Sequence, residues 1–277
     1  MRFTKMHGCG NDYVFINLFE EKIDNPKMIS KKISDRHYGI GSDGLITIGP
    51  SNNADFKMCI YNSDGSEAEM CGNGIRCVGK YVFDNGLTNK NKITIETLSG
   101  IKELKLNIIN DKVNTIEVDM GIPLIKSKDI PTVIDRNIIV SEEVKIDENI
   151  FNITCVSMGN PHTILFVNDI TKIEIEKYGE LIENSKLFPN KTNVEFVKVI
   201  SRDEISMRVW ERGSKETWAC GTGACAAVTA CVLNGKTDNQ VLVHLRGGDI
   251  KVTYDINEHI IMEGEAKTVY VGEIELI

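Results

Sequence analysis

Two cysteines, Cys71 and Cys220, stand in the same local pattern, Cys71-Gly72-Asn73-Gly74 and Cys220-Gly221-Thr222-Gly223. Downstream of each, apolar residues recur at helical spacing as far as Phe83 and Leu233, and both runs stop at Asn-Gly, so each thiol is expected immediately before a helix. The glycines permit a tight turn and leave backbone N–H groups uncovered. The partial positive charge of a helix start stabilises a thiolate and draws its pKa down toward working pH, while the free N–H groups receive an anion such as a carboxylate. If two such helix starts face one ligand, a carboxylate can be held between them with a sulfur on either side of its α-carbon. Inverting a stereocentre by proton transfer requires that arrangement, because the base that removes the proton and the acid that returns one must attack opposite faces. With one sulfur as thiolate and the other as thiol, the pair works in both directions by exchanging states. The N–H groups stabilise the charge that develops on the carboxylate oxygens.

The other cysteines lack this setting. Cys59, Cys155 and Cys231 read as small buried hydrophobes, Cys77 and Cys225 as inward-packing helix residues, and Cys9, between two glycines, as a loop thiol either buried or at the edge of a cleft. No Cys-x-x-Cys or His-x-x-x-His spacing occurs, so no metal site is expected and the thiols are expected to be free.

The elements that must position the two thiols are legible as short β-branched stretches bounded by Gly, Asn, Asp or Pro. They include 12–17, 45–49, 56–61, 92–97, 113–119, 153–156, 163–167, 193–199, 205–210 and 241–245. Asn25-Pro26 caps a helix expected to fade near Tyr38-Gly39, and 172–184 reads as a surface helix. Cys220 follows Cys71 by 149 residues, and the same offset pairs Gly10 with Gly159, Asn11 with Asn160, Met58 with Met207, Glu67 with Glu216, Gly72 with Gly221 and Gly74 with Gly223. Identities in one order and one set of local settings indicate a duplication. The expected architecture is two α/β halves, each with sheet strands around a helix. One spans 1–118 joined by 264–277 and carries Cys71; the other spans 119–263 and carries Cys220.

A formal net charge of −8 disfavours nucleic-acid or acidic-membrane partners, which need a basic surface, and leaves a small charged ligand open. No signal-like run opens the sequence and no stretch approaches eighteen apolar residues, so a cytoplasmic location is expected.

The segments 6–12, 62–67, 70–77, 158–162, 192–195, 211–213 and 219–224 together resemble the diaminopimelate epimerases. The resemblance implies an isomerase of the lysine and peptidoglycan pathway that works without pyridoxal or any other cofactor. It also implies two pseudo-symmetric α/β domains, each a β-sheet wrapped around a central helix, and a homodimer. By that resemblance Cys71 and Cys220 are the catalytic pair. Asn11, Asn62, Asn160 and Asn193 bind substrate, Gly72-Asn73 and Gly221-Thr222 supply backbone donors, Glu211 and Arg212 form an acidic-basic pair, and His162 supports the reacting centre. A substrate with an ammonium and a carboxylate at both ends suits such a set, because an arginine grips a carboxylate in two-point fashion and amides both accept and donate. One departure stands out: members of the family often carry glutamine after the aspartate of the Gly-Ile-Gly-x-Asp segment, where this chain has Gly44 after Asp43.

Racemases of the same fold acting on proline, hydroxyproline or histidine would keep both thiols and change the distal pocket; Arg212, Asn62 and Asn193 favour a second charged end. Isomerases of the phenazine pathway lack the thiol pair. A thiol-redox or amino-acid-binding protein is the remaining alternative from another class.

Overall fold

The computed structural model of the protein describes residues 1–254 and 259–275. Its internal contacts divide the chain into two compact units, Met1–Asp119 with Glu263–Ile277, and Met120–Met262.

The first unit runs β1 (Arg2–Gly8), β2 (Asn11–Asn17), α1 (Pro26–Ser34), β3 (Gly44–Gly49), β4 (Phe56–Asn62), β5 (Glu67–Ala68), α2 (Gly72–Asp84), β6 (Lys92–Thr97), β7 (Gly100–Ile109) and β8 (Lys112–Asp119). The strand Lys267–Glu273 returns antiparallel to β1, which pairs antiparallel with β2, and β2 runs parallel to β3. Beyond β3 follow antiparallel β4, parallel β6, and antiparallel β7 and β8. α2 packs against β1 and β2 as well as β7 and β8, so the sheet curls around it. Ile75, Val78 and Val82 of the helix are fully buried in that wrap, each worth about 1.5–3 kcal/mol by removal from water. α1 covers a second apolar cluster in which Ile29 and Ile33 meet Val14, Ile16 and Leu45.

The second unit contains β9 (Glu142–Ile146), β10 (Asn149–Ser157), β11 (Pro161–Phe166), α3 (Ile175–Glu183), β12 (Asn193–Val199), β13 (Glu204–Glu211), β14 (Lys215–Thr217), α4 (Gly221–Leu233), β15 (Gln240–Leu245) and β16 (Gly248–Tyr254). Its pairings repeat those of the first: β10 with β11 antiparallel, β11 with β12 parallel, β12 with β13 antiparallel, β13 with β15 parallel, β15 with β16 antiparallel. α1 and α3, and α2 and α4, begin and end 149 residues apart, the offset of the sequence identities. α4 is apolar on every side, with Ala224, Cys225, Ala226, Ala227, Val228, Ala230 and Cys231 all buried, as a helix enclosed by its own sheet requires.

The sequence reading did not include β1, β7, β9 or β16, and α1 ends earlier than expected, while the strand Lys267–Glu273 lies within the C-terminal strand expected over 264–277. Asp35 stops it: the carboxylate takes the N–H groups of His37 and Tyr38, both at 2.7 Å, and holds the chain in a turn. α3 begins at Ile175 and is only partly superficial, since Ile175, Gly179, Ile182 and Glu183 are buried and Glu183 accepts from Trp210 Nε1 at 2.7 Å. Among the described residues no helix is long and apolar enough to cross a membrane, and no group of three or more His, Cys, Asp or Glu is disposed to hold a metal.

Candidate active site

Cys71 is the N-cap of α2, in extended conformation, and its Sγ accepts from Gly74 N–H at 3.3 Å. Cys220 caps α4 in the same way, with Gly223 N–H at 3.3 Å. A sulfur here does what a serine or aspartate oxygen usually does, satisfying one of the orphan donors of the first turn. Neither helix has an acidic residue in its first turn or a basic one in its last, so neither compensates its own dipole with charge.

Around Cys71, Sγ donates to Asn11 Oδ1 at 3.3 Å, and Asn73 Nδ2 donates to the same oxygen at 3.4 Å. Asn11 Nδ2 in turn donates to Asp43 Oδ2 at 2.8 Å. Arg76, one turn into α2, is completely buried; its guanidinium donates to Gly72 O at 3.1 Å and Asn73 Oδ1 at 2.9 Å, and thereby fixes the first turn. The phenol of Tyr13 lies within hydrogen-bonding reach of Cys71 and Asn11, and burial together with the charge of Cys71 pushes it well above its usual pKa. Gly44 pairs with Tyr13 across β2 and β3, where a Cβ would run into the carbonyl oxygen of Tyr61 and lie 3.0 Å from Tyr13 Cε1. No side chain fits at that position, and the space beside it is filled by the tyrosine ring.

Cys220 lies in a different field. Glu211 on β13 is close enough to share a hydrogen bond with it, and accepts from the Thr217 hydroxyl. His162, fully buried on β11, joins Glu195 Oε1 at 2.6 Å through Nδ1 and Asn160 Oδ1 at 3.0 Å through Nε2. Asn160 Nδ2 reaches Thr222 Oγ1 at 3.4 Å, and that hydroxyl is 3.4 Å from Cys220 Sγ. Burial, then the carboxylates of Glu211 and Glu195, push the Cys220 thiol well above its ordinary range, against the lowering by Thr222 and the Gly223 N–H. The helix start was expected to draw this thiol down; desolvation and two acidic neighbours outweigh it. Burial likewise raises the Glu211 carboxyl.

The remaining residues singled out in the sequence divide by role. Asn62 is half-buried and donates to Ser66 Oγ at 2.9 Å. Asn193 is buried with both ends of its amide committed to backbone, donating to Pro161 O at 2.8 Å and accepting from Arg212 N at 2.9 Å. Arg212 is exposed, with one N–H on Asn190 O at 3.1 Å. Gly72, Asn73 and Gly221 are buried in the first turns of α2 and α4, and Thr222 is partly exposed there. Cys77, Cys155 and Cys231 are buried thiols pushed up to about 12, and Cys225 is buried beside them in character. Cys9 is buried, at φ 52°, and accepts from Arg76 at 3.5 Å.

Sequence reasoning missed Tyr13, Arg76 and the role of Glu195. Tyr13 was within reach of it, since the 149-residue offset that pairs Asn11 with Asn160 also pairs Tyr13 with His162, and each of these side chains bonds its own asparagine. Arg76 and Glu195 had no such signal, because their repeat mates are Cys225 and Ile46.

The chain is similar over its length to known proteins. The family model described as diaminopimelate epimerase matches residues 3–125 and 154–269. The diaminopimelate epimerases of Agathobacter rectalis and Acetivibrio thermocellus are 58% and 54% identical to the chain, each over 100% of it and over 100% and 99% of their own lengths. That of Methanococcus maripaludis is 53% identical over the whole of both. Among solved structures, a probable proline racemase from Agrobacterium radiobacter aligns with a TM-score of 0.74 at 12% identity, covering 100% of this chain and 93% of that one. A hydroxyproline epimerase from Agrobacterium vitis aligns at 0.73 and 12%, covering 99% and 90%. These structural likenesses establish a shared fold.

Proposed function

Because the chain belongs to the diaminopimelate epimerase family, we propose that it interconverts LL- and meso-2,6-diaminopimelate by proton transfer at one α-carbon, with Cys71 and Cys220 as the two bases and no cofactor. The observation that carries this reading is the pair of cysteine helix caps, each sulfur already accepting a backbone N–H at 3.3 Å.

In the resting protein the Cys220 sulfur holds its proton, because burial and the Glu211 and Glu195 carboxylates disfavour its thiolate. In the direction that state permits, Cys71, once it has lost the proton it donates to Asn11 Oδ1, takes the α-hydrogen as thiolate, breaking C–H and forming S–H. Cys220 then gives its proton to the opposite face of the carbanion. The reverse direction exchanges the roles. The charge that appears on the α-carboxylate between these steps is met by the N–H groups of Gly72, Asn73, Gly221 and Thr222. Asn11 and Asn160, each held beside its thiol, are suited to the α-amino and α-carboxylate groups, with His162 behind Asn160. Glu211 adds acidic character suited to the ammonium, Arg212, its backbone held by Asn193, is suited to the distal carboxylate, and the Asn62 amide is suited to either polar end.

Incubating the protein with LL-diaminopimelate in deuterated buffer is expected to incorporate deuterium at the inverted carbon, and Cys71→Ala or Cys220→Ala to abolish inversion. Deuterium entering proline or hydroxyproline instead would refute the substrate assignment, and inversion surviving in either single variant would refute the two-base scheme. We place the enzyme in the cytoplasm, where thiols stay reduced; a protein recovered with Cys71 or Cys220 oxidised in its native compartment would contradict this. We also propose a homodimer. The exposed apolar side chains Val269, Tyr270 and Val271 on the strand Lys267–Glu273 support it, and a monomeric sedimentation coefficient at micromolar concentration would overturn it.

A further inference from the structure

Glu195 on β12 is wholly buried, and its Oε2 has no hydrogen-bond partner among the described residues. Its Oε1 faces His162 Nδ1 at 2.6 Å. A buried carboxylate with one bare oxygen is costly, so its presence beside a thiol helix cap calls for a compensating role.

The direction of the hydrogen bonds leading away from it supplies one. His162 Nε2 meets Asn160 Oδ1 at 3.0 Å, and an amide oxygen only accepts, so Nε2 carries a hydrogen. This turns Asn160 Nδ2 toward Thr222 Oγ1, at 3.4 Å. The threonine oxygen accepts there, which leaves its own hydrogen for Cys220 Sγ at 3.4 Å. The sulfur then has two donors, the Thr222 hydroxyl and the Gly223 N–H at 3.3 Å. With a hydrogen on Nε2, the contact between Nδ1 and Glu195 contains a second proton, held by one partner or the other. If that contact keeps only a single hydrogen for the whole pair, on Nδ1 against the carboxylate, Nε2 becomes an acceptor. Asn160 must then turn over, its Oδ1 faces Thr222, and the hydroxyl hydrogen is drawn away from Cys220.

We propose that Glu195 is a positioning residue of the Cys220 site, storing with His162 one proton whose presence orients Asn160 and Thr222 so that the threonine hydroxyl donates to the Cys220 sulfur. Burial raises the Glu195 carboxyl, in keeping with a pair that retains its proton near neutral pH. The titratable groups facing the pair are Glu211 on β13, Cys155 on β10 and Cys220 before α4. The inference rests on the reading of Cys220 as a catalytic base.

The test compares Glu195→Gln with Glu195→Ala. Glutamine can place its NH2 against Nδ1 and keep the hydrogen on Nε2 at every pH, whereas alanine leaves the imidazole free to turn. The glutamine variant is expected to keep kcat within about threefold and the alanine variant to lose about 10- to 100-fold, both with little change in KM. In the glutamine variant the alkaline fall of kcat moves to higher pH, because no stored proton remains to be lost. A substrate-free measurement accompanies this: iodoacetamide labelling of Cys220, followed by peptide mass spectrometry across pH, should begin at lower pH in the glutamine variant, which lacks the carboxylate. A glutamine variant as impaired as the alanine one, an unmoved alkaline limb, or unchanged Cys220 labelling would each overturn the proposal. If the alanine variant fails to fold, the pH profile and labelling of the glutamine variant decide alone. Wild-type protein that shows the labelling difference but no epimerisation would refute the function and leave the Glu195–Cys220 coupling standing.

Discussion

Replacing Gly223 with alanine adds one methyl group where two functional side chains converge. The new Cβ would lie 2.7 Å from Glu195 Oε1, 3.2 Å from Cys220 Cβ and 3.3 Å from its Sγ. Ordinary contact begins near 3.4 Å, so the carboxylate must retreat by about 0.7 Å, and it is buried and bonded to His162. Overpacking of this kind costs about 1–3 kcal/mol, offset by about 1 kcal/mol for alanine over glycine in a helix. The net loss of about 0–2 kcal/mol is a factor of at most roughly 30 in the folded-to-unfolded ratio. Activity should fall further, by about 100-fold in kcat, since a displacement approaching 1 Å at a reacting group costs that much. Gly74→Ala is the control in the other unit, where the Cβ would meet Ile46 Cδ1 at 2.6 Å and Met58 Cε at 3.1 Å. Those are the ends of flexible apolar side chains, and the expected loss in kcat is within about tenfold. Urea unfolding followed by far-UV circular dichroism reports both variants; Trp210 and Trp218 both lie in Met120–Met262, so their fluorescence reports the Gly223 change only. Equal kcat in the two variants, or wild-type kcat in Gly223→Ala, would refute the argument that Glu195, His162 and Cys220 form one packed unit.

Tyr13→Phe removes the phenol beside Cys71 and Asn11 while keeping the ring that fills the space at Gly44; a single lost hydrogen bond should lower kcat/KM by about 3- to 10-fold with unchanged unfolding, and full activity would show that the hydroxyl is idle. His244 joins Glu204 on β13 at 2.6 Å and Asp249 on β16 at 2.8 Å, and these partners raise its pKa above the unfolded value of 6.5. Its stabilisation is therefore fully present below that value and is lost as pH rises through the higher folded pKa, so urea midpoints should decline over that interval and His244→Gln should flatten the decline; an identical pH dependence in the variant would remove His244 as its cause.

Features governed by local chemistry were legible in the sequence. Asn25-Pro26 opens α1 as read, with Asn25 Oδ1 accepting from Met28 N at 3.1 Å, and both cysteine caps stand where their Gly-x-Gly contexts put them. What escaped depends on partners distant in the chain. β1 contains Lys5, a poor core residue by type, yet it is buried because Asp12 on the adjacent strand and the Gly41 carbonyl receive its ammonium. β7 alternates lysine and glutamate with leucine and isoleucine, so its polar face masks a strand whose Leu104 and Leu106 cover α2. Arg76 is buried because acceptors distant in the chain, the Glu265 carbonyl and the Cys9 sulfur, join the carbonyl and amide oxygens of its own first turn in receiving its guanidinium. The thiol environment was misjudged for the same reason: the helix start is local and visible, whereas the carboxylates that outweigh it arrive from β12 and β13.

The duplication makes that misjudgement instructive. At matching positions the two units set Arg76 against Cys225, Ile46 against Glu195, Asn62 against Glu211 and Tyr13 against His162. The scaffold that places each sulfur on a helix cap is common to both, while nearly every charge that differs between the two sites has been introduced in one copy only. A buried guanidinium fixes the first turn below Cys71; two buried carboxylates press on Cys220. Two identical thiol sites would have equal claim to a single proton, and a two-base reaction would then begin from an even mixture of productive and unproductive states. Burial and two carboxylates favour the protonated sulfur at Cys220, and the Glu195–His162 pair, found in the second copy alone, is the part of that field we propose regulates how tightly the proton is held.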